Sequence, residues 1–253
     1  LEQLERVLGP EHPATLTTRN NLASSIHSQN RPAEAEALYR RVLEARSHAF
    51  GYNHHITLQT RNNLALTLDS QGRTAEAEAI FERSLEAQQE ILGPYHHDTL
   101  RTVNNLAIVI NSQGRPAEAE ALLRPGFEAH ERVLGAEHPE TLATLNNLAN
   151  SIGSQGRHAE AEALYRRLAE TRERVQGPEH PDTLRALGNL ANSIRRQGRY
   201  AEAEALYRRV LGKLTRIYGP SHPDSLKTRN NLAFGALGAG DLQDAVLAWE
   251  DGF

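Results

Sequence analysis

The stretch that decides the fold is Gln-Gly-Arg-Thr-Ala-Glu-Ala-Glu-Ala at residues 71–79. The same pattern, with its fourth position variable, returns 42 residues later and then twice more, at 113–121, 155–163 and 197–205. The period extends outward over the whole chain, because glycines recur at the same spacing: Gly9, Gly51, Gly93, Gly135, Gly177 and Gly219. Self-similarity at a fixed interval of this size is typical of a repeat protein.

Each repeat contains two segments with the hydrophobic spacing of an α-helix. In residues 58–93, apolar side chains recur every three or four positions on both sides of the 71–73 stretch. Gly72 can adopt the left-handed conformation that ends a helix, and Gly93 followed by Pro94 ends the second one. The sequence therefore predicts a helix A and a helix B in every repeat.

One such helix pair has too little apolar surface to be stable alone. About five large apolar side chains per repeat contribute on the order of 10 kcal/mol, whereas ordering each residue costs roughly 1–2 kcal/mol. Neighbouring pairs must therefore stack and share a core. The expected fold is an all-α, right-handed α-α superhelical solenoid.

The period also sets the expected domain organisation, a single array over residues 1–253. Residues 1–9 match the end of a preceding helix B. The complete repeats are expected at 10–51, 52–93, 94–135, 136–177 and 178–219, with a truncated sixth at 220–253. Because the chain contains no Met and begins in the middle of a repeat, we expect it to be a piece of a longer protein.

Composition narrows the classes of partner. The net charge is −4, from 28 Lys and Arg against 32 Asp and Glu, which gives no general attraction to nucleic acid or to an anionic membrane surface. There is no Cys, so disulfides and thiolate metal sites are excluded, and no apolar run approaches the roughly 20 residues that span a bilayer. These features predict a cytoplasmic protein without nucleic-acid or membrane partners.

No catalytic, cofactor or metal site is predicted. Histidine recurs once per repeat in the linker between helix B and the next helix A, where the chemistry of a helix start explains it better than metal binding does. These linker histidines are His12, His54, His96, His138, His180 and His222. The paired glutamates, such as Glu76 and Glu78, suit the first turn of a helix rather than an acid/base pair.

The 71–79 stretch, the Asn-Asn-Leu-Ala of helix A and the Leu-Gly-Pro-Glu-His-Pro linker resemble the tetratricopeptide repeat of the 42-residue kinesin-light-chain type. This resemblance implies a scaffold in which helices A line a concave groove and bind extended peptides through Asn side chains. At the matching positions stand Asn20, Asn62, Asn104, Asn146 and Asn230, whereas the fifth repeat has Gly188 there.

Other positions on the same face of helix A differ between repeats. The surface is expected to be apolar around Leu66 and Ile108 and rich in amides around Asn150 and Asn192. Basic side chains join it at Arg101, Arg185, Arg195 and Lys227, and would suit an acidic stretch of a ligand. The alternative is that these are solvated positions that vary freely.

The leading functional hypothesis is a non-enzymatic scaffold that binds a protein or peptide in the groove of helices A. The alternative is a regulatory or self-association segment of a larger signalling ATPase, and exposed apolar ends could stack end to end. One irregularity is also expected. Pro125 and Gly126 fall inside helix B of the third repeat, which predicts a kink or break near residues 121–125.

Overall fold

The computed structural model describes residues 1–240, and these residues form helices and turns without a β-strand. The prediction of an all-α fold of helix pairs is therefore confirmed. The expected helix B of the truncated sixth repeat, with Ala245, Trp249 and Phe253, lies outside the described residues. Within residues 1–240 there are twelve helices: α1 (Glu2–Leu8), α2 (Pro13–Ser28), α3 (Pro32–Phe50), α4 (His55–Ser70), α5 (Thr74–Leu92), α6 (His97–Ser112), α7 (Pro116–Leu134), α8 (Pro139–Ser154), α9 (His158–Gln176), α10 (Pro181–Arg196), α11 (Tyr200–Tyr218) and α12 (Pro223–Ala239).

The chain divides into two compact units, Leu1–Gly126 and Phe127–Phe253. In each unit, helices that follow one another along the chain pack together, and helices A of neighbouring repeats also touch. The helices A are α2, α4 and α6 in the first unit and α8, α10 and α12 in the second. Helices α3, α5, α7, α9 and α11 are the helices B. The six helices A begin 42 residues apart, as the sequence period requires.

Each helix pair closes over a row of small side chains. The alanine in the first turns of helix B is completely buried in all five described copies, at Ala35, Ala77, Ala119, Ala161 and Ala203. Larger apolar residues of helix A, such as Leu148 and Leu190, are buried beside them. Because interiors are close-packed, alanine lets the two helices approach closely where a longer side chain would separate them.

The turn between helix A and helix B needs a left-handed residue. Gly72 has φ 78° at this position, and the corresponding residue of the first repeat, Asn30, has φ 60°. Asn30 is the one described residue other than glycine with a positive φ. Asparagine tolerates this region better than most residues, so the first repeat keeps the turn without glycine.

A polar network joins three pairs of neighbouring repeats, the first to the second, the second to the third and the fourth to the fifth. The Glu36 carboxylate of α3 accepts hydrogen bonds from Gln71 Nε2 at 2.9 Å and from Arg73 Nη1 at 2.8 Å, both in the following repeat. Glu78 is bound in the same way by Gln113 and Arg115, and Glu162 by Gln197 and Arg199. The second glutamate of the Ala-Glu-Ala-Glu-Ala stretch is thus a contact between repeats as well as a first-turn residue.

Of the kink or break predicted near residues 121–125 of the third repeat, the break is wrong. Helix α7 continues without interruption from Pro116 to Leu134, with Pro125 inside it. Leu123 and Phe127 are buried on either side, and a Cβ at Gly126 would lie 3.5 Å from Leu100 Cδ2 of α6. Packing of these neighbours holds the helix together despite the hydrogen bond that proline cannot donate.

Candidate functional site

The exposed and half-buried residues of each helix A form a continuous stripe, which we call the A face. In α10 it follows the first turn and consists of Arg185, Gly188, Asn189, Asn192 and Arg195, while the other residues between 183 and 194 are buried. Its residues lie three and four positions apart, so they share one side of the helix. This is the face on which the sequence placed the candidate binding residues.

Two of the predicted asparagines do not lie on the A face. Asn20 and Asn62 are only 7% and 3% exposed. Asn62 Nδ2 donates to Thr102 Oγ1 of the next helix A at 2.6 Å, and Thr60 Oγ1 donates to Asn20 Oδ1 at 3.4 Å. These amides therefore connect neighbouring helices A in the first unit.

The other three predicted asparagines are more accessible. Asn104 and Asn146 are half-buried and Asn230 is exposed. Asn146 Oδ1 accepts a hydrogen bond from Asn189 Nδ2 of the next helix A at 3.2 Å. The second residue of each Asn-Asn pair thus also belongs to the A face, although only the first was predicted. Adjacent residues of a helix are about 100° apart, so the doubled asparagine itself was the signal.

Buried phenols hold two of the predicted amides. Tyr165 Oη donates to Asn150 Oδ1 at 2.5 Å, and Tyr207 Oη donates to Asn192 Oδ1 at 2.7 Å. Burial raises the pKa of both phenols, so they are protonated donors at neutral pH. The nearby positive charge of Arg195 opposes the effect of burial on the pKa of Tyr207. Helix B thus sets the orientation of A-face residues from beneath.

The predicted basic residues differ in how far they are already paired. Arg101 donates to Asp98 at 2.7 Å and Arg185 to Asp182 at 2.5 Å, each to the carboxylate three residues earlier. Lys227 is exposed and forms no ion pair within residues 1–240. Exposed pairs of this kind are weak, so Arg185 can exchange its partner for a ligand carboxylate at small cost.

Two cavities open on the A face of the second unit. One of about 140 Å³ has Leu184, Val210 and Leu214 among its apolar residues and Arg185 and Lys227 among its polar ones. Gly188, which replaces the asparagine, also lines it, and the space around its Cα is empty enough that a Cβ would meet no atom within 4 Å. The missing amide therefore leaves room for a ligand group.

The second cavity, of about 510 Å³, lies between α8, α9 and α10 and is lined mainly by polar residues. They include Asn150, Asn192, Ser154, His158 and Arg196, and no Asp or Glu takes part in the lining. Burial, together with the charge of Arg196, lowers the pKa of His158, which is therefore neutral at pH 7. The cavity wall is rich in hydrogen-bond donors.

The linker histidines act as helix caps. In five linkers, at His12, His96, His138, His180 and His222, Nδ1 accepts a hydrogen bond from the backbone N–H two residues later, at 3.2–3.3 Å. This confirms that turn chemistry explains them. His54 makes no such bond; its ring packs against Phe50 and His55 instead.

Among the described residues, no three His, Cys, Asp or Glu side chains cluster as a metal site would require. No described helix is long and apolar enough to cross a membrane.

Comparison with known proteins places this architecture in a family. The family model "Tetratricopeptide repeat" matches residues 1–48, 20–90, 57–124, 98–151, 140–212 and 185–250. No curated protein matched the chain.

Solved structures with the same fold include a Podosopora anserina protein described as a kinesin light chain with nearly identical TPR-like repeats. It is 25% identical, with a TM-score of 0.71 over 81% of this chain and 97% of that one. BtubC from P. vanneervenii is 20% identical, with a TM-score of 0.72 over 87% and 89% of the two chains.

A Rap protein in complex with Competence and Sporulation Factor is 10% identical, with a TM-score of 0.63 over 94% and 75% of the two chains. At such low identity the likeness shows the fold alone. The family model, in contrast, covers nearly the whole sequence, in agreement with the resemblance drawn from the repeat motif. The chain belongs to the tetratricopeptide-repeat family, with repeats similar to those of the kinesin-light-chain type.

Proposed function

We propose that the chain is a non-catalytic scaffold that binds an extended peptide, or an extended segment of a protein, along the A faces of its helices. Members of this repeat family generally mediate protein–protein interactions, and the A face of this chain has the chemistry for it. The single observation that carries the proposal is the pair of cavities on the A face of the second unit, where fixed amides and guanidinium groups surround space of side-chain size.

Charge favours a ligand with acidic residues. Arg185 and Lys227 outnumber Asp224 in the lining of the smaller cavity, and Arg196 is the charged residue that lines the larger one. A guanidinium group binds a carboxylate through two parallel hydrogen bonds. The apolar residues of the smaller cavity would accept part of a hydrophobic side chain.

A peptide-array screen followed by calorimetry tests the proposal. The triple variant Arg185→Ala, Arg195→Ala, Lys227→Ala should lose at least about tenfold in affinity for the acidic peptides that the unmodified chain captures, since bonds between charged groups are the strong ones. The matched control removes three arginines that are exposed on helices B: Arg174→Ala, Arg208→Ala, Arg216→Ala.

The control triple variant changes the net charge equally but leaves the A face intact, so it should bind like the unmodified chain at 0.15 M salt, where the Debye length is about 8 Å. Capture of no peptide by the unmodified chain would refute the proposal. So would an equal loss in both triple variants, since that would mean that overall charge, and not contact with the A face, governs binding.

A further inference from the structure

The repeats themselves show a correlation between a buried residue of helix B and an exposed residue of helix A. Where helix B carries a tyrosine, the A-face residue fifteen positions earlier is polar, as in Tyr165 with Asn150 and Tyr207 with Asn192. In the first repeat the same two positions hold Tyr39 and Ser24, so a polar A-face residue again accompanies the tyrosine.

The second and third repeats lack the phenol and also lack the polar partner. Phe81 and Leu123 occupy the buried position, completely enclosed, and the corresponding A-face residues are Leu66 and Ile108, which are 37% and 46% exposed. An exposed aliphatic residue is not by itself unusual. Its coincidence with the loss of the hydroxyl in two repeats out of five indicates that the two positions act as a pair.

The hydrogen bond fixes which end of the amide faces outward. An asparagine side chain carries one acceptor oxygen and an NH₂ group with two donors, and a free amide can present either. A buried phenol has a proton that must be donated, because an unpaired buried hydroxyl costs free energy. Since Tyr165 and Tyr207 donate to Oδ1, the NH₂ groups of Asn150 and Asn192 are the ends left available to a ligand.

Both amides line the same cavity of about 510 Å³, together with Arg196, Ser154 and Asn189. Arg196 is exposed and has no ion-pair partner in the described part of the chain. With no Asp or Glu in its lining, the cavity offers donors from two neighbouring helices A and no charged acceptor that would compete with a ligand.

We propose that this cavity is a subsite for a side-chain carboxylate of the bound peptide, and that Tyr165 and Tyr207 are positioning residues that make it selective by holding Asn150 and Asn192 as donors. The proposal rests on the peptide-binding function proposed above. In the second and third repeats, Phe81 with Leu66 and Leu123 with Ile108 form the apolar counterpart of the same device, suited to an aliphatic residue.

The test is the selectivity of the double variant Tyr165→Phe, Tyr207→Phe. The probes are extended peptides taken from the array, with amidated C-termini, in which one Glu is replaced in turn by Gln, Leu and Lys. The unmodified chain should prefer Glu over Gln. In the double variant the ratio of the affinity for the Glu peptide to that for the Gln peptide should fall about three- to tenfold, the effect of one ordinary hydrogen bond. Its melting temperature should stay high enough for full folding at 25 °C.

Two further variants separate positioning from structural support. Asn192→Asp keeps the shape of the side chain but turns an acceptor toward the cavity. It should therefore lower the affinity for the Glu peptide and raise the affinity for the Lys peptide. Combining Tyr207→Phe with Asn192→Leu recreates the pair of the second repeat and should shift the preference toward Leu. The control Ser84→Ala removes a buried hydroxyl of helix α5, which donates to the backbone carbonyl of Ile80, and should leave the selectivity unchanged.

The outcomes distinguish this inference from the function on which it rests. If the unmodified chain binds no peptide, the binding function itself fails. If it binds, but the double variant keeps the same ratio of Glu to Gln affinity, the positioning role is refuted while the binding function stands. The same peptides are also measured with a free C-terminus. Binding of the free form alone would show that the cavity takes a terminal carboxylate, and would overturn the assignment to a side chain.

Discussion

At the scale of single residues, the carboxylates that join neighbouring repeats carry the clearest electrostatic signature. Burial alone would raise the pKa of Glu36, but hydrogen bonds from Gln71, Arg40 and Arg73 outweigh it and lower the pKa from 4.5 to about 2. Ionisation of Glu36 is therefore more favourable in the folded state than in the unfolded state, so the ionised carboxylate stabilises the fold.

This shift predicts a pH dependence of stability with a definite sign. Because the folded pKa is the lower one, the stabilisation by Glu36 is complete above pH 4.5 and is lost as the pH falls toward 2. Replacing Glu36→Gln should lower the free energy of unfolding by about 1–3 kcal/mol at pH 7, the range for bonds to charged groups, and by progressively less below pH 4.5.

Urea unfolding at a series of pH values measures the difference between the two proteins. The control is Glu34→Gln on the same helix, whose carboxylate is exposed and, within residues 1–240, pairs with Arg31 alone. An effect of Glu36→Gln that is as large at pH 2 as at pH 7 would contradict the assignment to charge.

Residue types alone could predict part of the A face. The positions three, four and seven residues from the predicted asparagine indicated which side of helix A is accessible, but the second asparagine of each pair was missed. The burial of Asn20 and Asn62 could not be predicted, because it depends on how closely the next helix A approaches. The bonds from Tyr165 and Tyr207 join residues fifteen positions apart, and only the packing of helix B under helix A shows that they meet.

At the scale of the element, helix α7 shows how packing overrides local preference. An interior proline costs roughly 3 kcal/mol because it lacks the N–H and its ring crowds the preceding turn. That cost led to the prediction of a kink or a break, yet α7 continues without a break. Sequence reasoning failed here because it counted the local cost and not the burial of Leu123 and Phe127, which lie on either side of the proline.

The free-energy cost of Pro125 should nevertheless lower the free energy of unfolding of the chain. Because Pro125 is exposed, replacing Pro125→Ala adds no crowding and restores a backbone donor. The variant should raise the free energy of unfolding by about 1–3 kcal/mol, measured by urea denaturation. Glu128→Ala, at another exposed residue of α7, serves as the control for a change of side chain alone. A variant with no gain would mean that α7 has adapted to the proline at no cost.

At the scale of the whole molecule, the period of 42 residues was enough to predict the fold class, because each helix pair depends on its neighbours for a core. Its identification as a tetratricopeptide-repeat protein followed from the same motif. The chemistry of binding was less accessible, since it resides in the residues that differ between repeats.

The alternative hypothesis of self-association has its own observable. Helix α1 has no buried residue, and Val7 and Leu8 are 74% and 42% exposed. If this apolar surface mediates contact between copies, the sedimentation coefficient measured by sedimentation velocity should increase with protein concentration. The double variant Val7→Glu, Leu8→Glu should abolish that increase. Arg6→Glu on the same helix is the control for added negative charge. A monomer at all concentrations would remove the basis for this hypothesis.

The network around Glu36 also bears on how such a protein changes its length. Its partners come from the next repeat at fixed intervals, so excising residues 53–94 would bring Gln113 and Arg115 to Glu36 in place of Gln71 and Arg73. The new junction would have the same side chains as the old one. Each tyrosine and its asparagine, in contrast, lie within a single repeat. Gain or loss of whole repeats that carry this network would therefore preserve the contact between neighbours while changing the order of the binding preferences along the array.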